Sequence, residues 1–235
     1  MKPGLICWLA AVAVLAGPGG RLGLATDYPA SLETEVRRLL EAGAGNSSDP
    51  ALLIRVAGLY LDMGDDLYQE SPKRLAAYEQ GARFAKRAIE QQEANAEAHF
   101  LYAASLGSAA QLKGIMASAF SVGDLKAHVA RALELKPDHA PALHMMGMML
   151  EELPWFLGGD SVAALEHLQR AVALDPTYAH ARLDLARAYL KRRDREAGGR
   201  QLRALVQMTD VRDRYGWVHR YRPEAEQLLS ALEQP

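Results

Sequence analysis

The sequence predicts an all-α fold: an α-solenoid of about four helix pairs, with inserts and a C-terminal capping helix. Three observations predict it. Almost every segment past residue 30 spaces its apolar residues with a helical period, and runs of alternating β-branched residues are missing. Three stretches repeat one signal with one internal spacing: Arg87-Ala88-Ile89 before Ala96-Glu97-Ala98, Arg131-Ala132-Leu133 before Ala140-Pro141-Ala142, and Arg170-Ala171-Val172 before Ala179-His180-Ala181. Each ends one helical pattern and opens the next, the mark of stacked helix pairs. Leu135-Lys136-Pro137 and Leu174-Asp175-Pro176 stop two of the patterns alike, because proline cannot donate to the preceding turn. Stacked pairs make a long concave surface, which favours binding over catalysis.

The first element is not part of the stack. Lys2 gives a positive start, residues 5–16 form an apolar run, and Gly17-Pro18-Gly19-Gly20 follows. Small residues suited to cleavage end Val14-Leu15-Ala16 and Gly23-Leu24-Ala25. The run is short for a bilayer span, which needs roughly 20 apolar residues. Residues 1–25 are therefore expected to be a cleaved signal peptide, with 26–235 an exported helical domain, periplasmic or secreted. The alternative is an anchor formed by an uncleaved N-terminal segment. Removing 1–25 takes away Lys2 and Arg21 and no acids, so the net charge goes from −2 to −4. It also removes Cys7, the sole cysteine, which excludes thiol catalysis and cysteine-held metals from the mature chain.

Helices are then predicted in order. The first covers about 32–41 and ends in Gly43-Ala44-Gly45-Asn46. Asp49 caps the second, with Pro50 at its first position, and Gly64-Asp65-Asp66 stops it. Ser71-Pro72 opens a long helix to about 92. Further helices are expected near 96–109, 124–135, 140–152, 160–174, 178–191, 194–207 and 223–233.

On these residues the chain resembles the tetratricopeptide-repeat (TPR) family. The small residue of each first helix falls on Gly58, Ala103, Gly147 and Ala186. The Ala of each second helix falls on Ala88, Ala132, Ala171 and Ala204, and the terminal Pro on Pro137 and Pro176. Small residues let neighbouring helices approach closely. The departures are extra residues between the helices of a pair, at 111–122 and 153–159, and a missing Trp, replaced by Ile54, His99, Leu143 and Arg182. More loosely, Ala98-His99, Ala103, the Gly114 insert, His144, Gly147, Leu153-Pro154-Trp155 and Glu224-Ala225 resemble regulator-of-microtubule-dynamics-type TPR domains. The Pro-x-x-x-Gly-Gly insert resembles TPR proteins associated with TRAP transporters. These resemblances imply a compact helical domain enclosing an apolar groove or pore. Export would separate the chain from microtubules, so that role is not expected here.

Candidate sites follow from the repeat and from its breaks. In a TPR the concave stripe comes from four positions of each first helix. Here it gives Leu52, Arg55, Leu59 and Asp62; Glu97, Phe100 and Ala104; Pro141, His144, Met148 and Glu151; and His180, Leu183, Arg187 and Leu190. Met145, Met146, Met148 and Met149 surround one helix and cannot share a face, so some must be core. Met116 and Phe120 add adaptable apolar side chains from the first insert. Trp155 and Phe156 lie in the second insert, either plugging the gap it makes or forming a lip over a groove. Gly158 and Gly159 suit positive φ, and Asp160 or Ser161 can cap the next helix.

The groove candidates are therefore Arg55, Phe100, Met116, Phe120, His144, Met148, Trp155, Phe156 and Arg187. Charge is uneven as well: residues 27–180 hold 13 Lys/Arg and 21 Asp/Glu, while 181–235 hold 12 and 8. The basic end is either a solvated helix pair or a docking face for an acidic partner or anionic lipid headgroups. The seven histidines show no His-Glu-x-x-His spacing, so no metal, cofactor or catalytic set is expected. Acidity argues against nucleic acid. The expected function is a non-enzymatic protein–protein interaction scaffold, acting through the groove or the basic end. The alternative is a carrier of a lipid or other apolar small molecule in a groove lined by the inserts.

Overall fold

The computed structural model describes residues 27–233, with the backbone alone over 115–120. The expected signal peptide at 1–25 lies outside the described residues. The described chain is helical, with α1 (Ser31–Glu41), α2 (Pro50–Asp62), α3 (Ser71–Gln91), α4 (Ala96–Lys113), α5 (Ile115–Leu135) and α6 (Ala140–Glu152). After these come α7 (Ser161–Leu174), α8 (Ala179–Lys191), α9 (Arg195–Val206), the single turn α10 (Arg214–Gly216) and α11 (Arg222–Glu233). Among the described residues there is no strand.

Side-chain caps set many of the helix starts. The Asp49 carboxylate accepts from Ala51 N–H at 3.0 Å, with Pro50 inside the start of α2. Asn95 caps α4, His139 caps α6 and Asp194 caps α9. Of the two candidates at α7, Asp160 is the cap: one oxygen accepts from Val162 at 2.9 Å and Ala163 at 3.1 Å.

The pairs α2/α3, α4/α5, α6/α7 and α8/α9 pack closely, and α11 covers the exposed side of α9. The repeated signal marks the crossings. Ala88, Ala132 and Ala171 are fully buried, as are Ala98, Ala142 and Ala181. Gly147 shows how tight such a crossing is: a Cβ there would meet Leu168 Cγ at 2.9 Å and the Ala164 carbonyl at 3.1 Å. Leu143, Leu168, Ala171, Leu185 and Ala188 join one core cluster across α6, α7 and α8.

Two register expectations are corrected. In α2 the buried small residue is Ala57, inside the cluster with Leu53, Val56 and Phe84, while Gly58 faces open space. In α9, Ala204 is exposed; Gly198 makes the close approach, within 2.6 Å of Leu190 for an added Cβ. Leu202 and Leu205 bury their side chains instead, held under Trp217 and Ala225 of the cap. Trp217 donates its indole N–H to the Leu205 carbonyl at 2.9 Å.

The first insert is also not a loop. Residues 111–122 lengthen α4 and α5, and the reversal is made at Gly114, whose φ of 102° suits glycine. The stretch after α2 forms a π-helical turn, Met63–Leu67, whose Gly64 lies against the Tyr78 ring.

Candidate functional site

The first helices of the pairs turn one face inward, and together they line a cavity of about 890 Å³. Its apolar wall comes from Ile54, Leu59, Phe100, Leu101, Met145 and Met148, on α2, α4 and α6. Its polar wall comes from Asp65, Asp66, His144, His180, Asp184, Arg220 and Tyr221. The methionines divide as helix geometry demands: Met145 and Met148 reach the cavity, Met146 is core, and Met149 packs beside it.

The cavity is closed by contacts between the two ends of the stack. Arg220, in the π-helical turn Trp217–Tyr221, lies 2.7 Å from Asp66 Oδ1 and donates to the Asp65 carbonyl at 3.1 Å. Tyr28, ahead of α1, donates its hydroxyl to the other Asp66 oxygen. The Tyr28 and Tyr215 rings meet edge to face at 5.5 Å. Asp66 is 4% exposed, so the carboxylate depends on these two partners. A curved stack thus becomes a ring around the groove.

Electrostatics differ along the polar wall. Asp65 opens onto the cavity but is ringed by protein atoms. That dehydration pushes its carboxyl up to about 6, against the hydroxyl of Tyr78 donating at 2.8 Å. Across the cavity, His144 Nε2 lies 2.8 Å from Asp184 Oδ2, and His144 Nδ1 lies 3.0 Å from the Tyr178 hydroxyl. His180 Nε2 is 3.4 Å from the same Asp184 oxygen. Burial alone would raise the Asp184 carboxyl, but the His144 hydrogen bond, with His180 and the Arg187 guanidinium close by, holds it at about 2. Dehydration lowers His180 to about 4, with the neighbouring His144 adding to the effect.

Most residues singled out from the sequence have a definite place. Arg55 lines the cavity and pairs with Glu35 of α1. Phe100 lines it with its ring 5.1 Å from that of His139. His144 and Met148 line it too. The side chains of Met116 and Phe120 lie outside the described residues. Trp155 and Phe156 neither plug a gap nor reach the cavity: they are 84% and 67% exposed and pack edge to face on each other at 5.9 Å. The reason is the tight turn behind them. Gly158 takes a φ of 84°, and a Cβ on Gly159 would meet the Leu153 carbonyl at 1.8 Å, so the loop folds on itself and points its aromatics outward.

Arg187 does not line the cavity; it braces Asp184 and pairs with Glu224 of α11. Much of the basic end is used in this way. Arg192 and Lys191 hold Glu151, Arg212 holds Asp175, Arg222 holds Glu226, and Arg195 donates to the Leu232 carbonyl. The concave stripe already held His144 and His180, but the Asp184 carboxylate between them and the ring-closing Arg220–Asp66 pair were not legible beforehand. The one available signal was the i,i+4 spacing of His180 and Asp184, which places them on one helix face.

Comparison with known proteins decides the family. The model of "Regulator of microtubule dynamics protein 1-3" matches residues 25–152, more than half of the chain. The chain belongs to the regulator of microtubule dynamics protein 1-3 family. A tetratricopeptide-repeat model matches residues 157–215. Relatives in the family include regulator of microtubule dynamics protein 1 of Bos taurus, 31% identical over 176 residues, covering 68% of this chain and 55% of the relative. The Pongo abelii protein is also 31% identical over 176 residues, covering 68% and 56%. The chain thus spans about half the length of the relatives it matches. A thermophilic TPR protein of Thermus thermophilus shares the fold, with a TM-score of 0.61 at 16% identity, covering 84% of this chain and 92% of that one. The family's TPR fold places this chain among helical-repeat proteins, in which stacked pairs present binding surfaces.

Proposed function

We propose that this family member is a non-enzymatic interaction scaffold whose ring-closed groove takes a short apolar-faced segment of a partner protein. The observation that supports it is the pairing of two unlike walls in one cavity. Ile54, Phe100, Met145 and Met148 offer an adaptable apolar surface, and Asp65, His144 and Asp184 face it with fixed polar groups. The basic end is a weaker docking face, because so many of its charges are already paired within the chain. The scaffold acts in an exported chain if residues 1–25 are a signal peptide, and the role in the relatives' name, microtubule dynamics, is not extended to it.

One observation favours a second reading. The Arg220–Asp66 closure turns an open groove into a cavity of about 890 Å³, within the range of small-molecule sites. An apolar small molecule or lipid is the occupant under that reading.

One experiment separates the two. Peptides are selected from a random display library on the purified chain and on Ala104→Trp, which fills the groove from α4. Native mass spectra of both are recorded. The scaffold reading expects peptides with apolar anchors that bind the parent chain and lose at least about tenfold in affinity on Ala104→Trp. A mass shift from bound lipid in the parent chain, lost in Ala104→Trp, with no groove-dependent peptide, would replace it by the carrier reading.

A further inference from the structure

We propose that His144, His180 and Asp184 form a binding site for a divalent metal ion of the zinc class, open on one side to the groove. The three donors come from two neighbouring helices: His144 from α6, and His180 with Asp184 from one face of α8. Among the described residues this is the one group of at least three such side chains whose donor atoms converge, all lying within 4.8 Å of one another.

The spacing suits a tetrahedral ion. With metal–ligand bonds near 2.0–2.1 Å, two donors of a tetrahedral site stand about 3.3 Å apart. Asp184 Oδ2 lies 2.8 Å from His144 Nε2 and 3.4 Å from His180 Nε2. The donor types, two imidazole nitrogens and one carboxylate oxygen, suit zinc, cobalt(II) or nickel(II) rather than calcium or magnesium, which prefer oxygen. Three protein ligands leave a fourth position, and His180, half-exposed toward the cavity, marks the side on which it opens.

The surroundings orient the donors as metal sites require. Arg187 donates to Asp184 Oδ1, which leaves Oδ2 turned toward the histidines. The charge of Arg187 is shared with Glu224, so it braces the carboxylate without standing in the site. Tyr178 sits on the far nitrogen of His144. His180 is stacked on Tyr221, with centroids 4.8 Å apart and planes 11° apart, which limits its swing.

The test uses the purified full chain after treatment with a chelator and dialysis. Zinc is titrated calorimetrically, and cobalt(II) is titrated by visible absorption, where tetrahedral N/O coordination gives intense d–d bands. We expect saturation at one ion per chain and a tetrahedral cobalt spectrum. Asp184→Asn and His180→Ala should each weaken zinc binding by at least about tenfold. Because Asp184 is buried, His180→Ala is the decisive variant: its side chain is partly exposed and its loss leaves the core clusters intact. Circular dichroism checks that it folds. His128→Ala, which touches the separate His99 contact at 2.8 Å, should leave zinc binding unchanged. An octahedral cobalt spectrum, or zinc affinity unchanged by His180→Ala in a folded protein, would overturn the assignment. So would no zinc binding at micromolar concentration. The peptide and lipid readouts of the groove do not depend on this result.

Discussion

Arg220→Ala should open the ring, and its cost can be worked from the two ends it joins. Asp66 is almost fully buried, with two partners: the Tyr28 hydroxyl and the Arg220 guanidinium at 2.7 Å. Breaking a fully buried pair by removing one partner costs about 3–5 kcal/mol, and an exposed pair is worth about 0.2–1 kcal/mol. The Arg220 side chain is 36% exposed, on the cavity side, so water can reach the orphaned carboxylate in part. We therefore expect Arg220→Ala to cost about 1.5–3 kcal/mol, between the exposed and the fully buried limits. Asp66→Asn keeps the Tyr28 contact and removes the charge, so it should cost less. The assay is urea unfolding of the parent, both single variants and the double variant. A coupling of about 1–2 kcal/mol between the sites is expected. If the single-variant effects add within about 0.5 kcal/mol, the ends do not interact and the closed-ring account of the groove is wrong.

Three further outcomes are expected. Ala171→Leu forces a larger side chain into the fully buried α7 crossing and should cost roughly 1–3 kcal/mol in urea unfolding; an unchanged midpoint would refute the repeat register. Trp155→Ser with Phe156→Ser should leave stability within about 0.5 kcal/mol, because both rings are exposed; a large loss of thermal stability would mean that they do fill a gap. Asp65 has a folded-state pKa of about 6, above its ordinary 3.8, so the folded chain holds that proton more tightly. Its contribution is fully present below about pH 4 and is lost as pH rises through about 6. Asp65→Asn should therefore flatten the fall in stability between those values, measured by urea midpoints across pH.

The repeat positions were legible because they obey a local rule. Ala88, Ala132 and Ala171 stand where second helices cross first ones, and only a small residue fits there, so spacing alone located them. The rule failed at Gly58 and Ala204 for the same kind of reason. The end helices pack against elements outside the repeat, α1 on α2 and α11 on α9: in α2 the buried small residue is Ala57, and α9 uses Gly198 against α8 while its other side takes the cap. At Trp155 and Phe156, bulk suggested burial, yet the backbone turn at Gly158 and Gly159 decides which way the rings point. The insert at 111–122 had helical composition, and its place as extensions of α4 and α5 depended on where Gly114 reverses the chain.

The sequence by itself determined the run of helices, the Asp49 cap, the pairing of helices and the inward stripe from Arg55 through Phe100, His144 and Met148. All of these depend on periodicity and on near neighbours along the chain. Only the tertiary structure decided that the stack closes on itself. Arg220 meets Asp66 and, 155 positions away along the chain, Asp65, and neither end carries a local mark of the other. It also decided that His144 converges with His180 and Asp184, since that meeting depends on the angle at which α6 and α8 lie beside one another. Local physics sets the elements; the curvature of the whole stack, summed over every helix crossing, sets the groove.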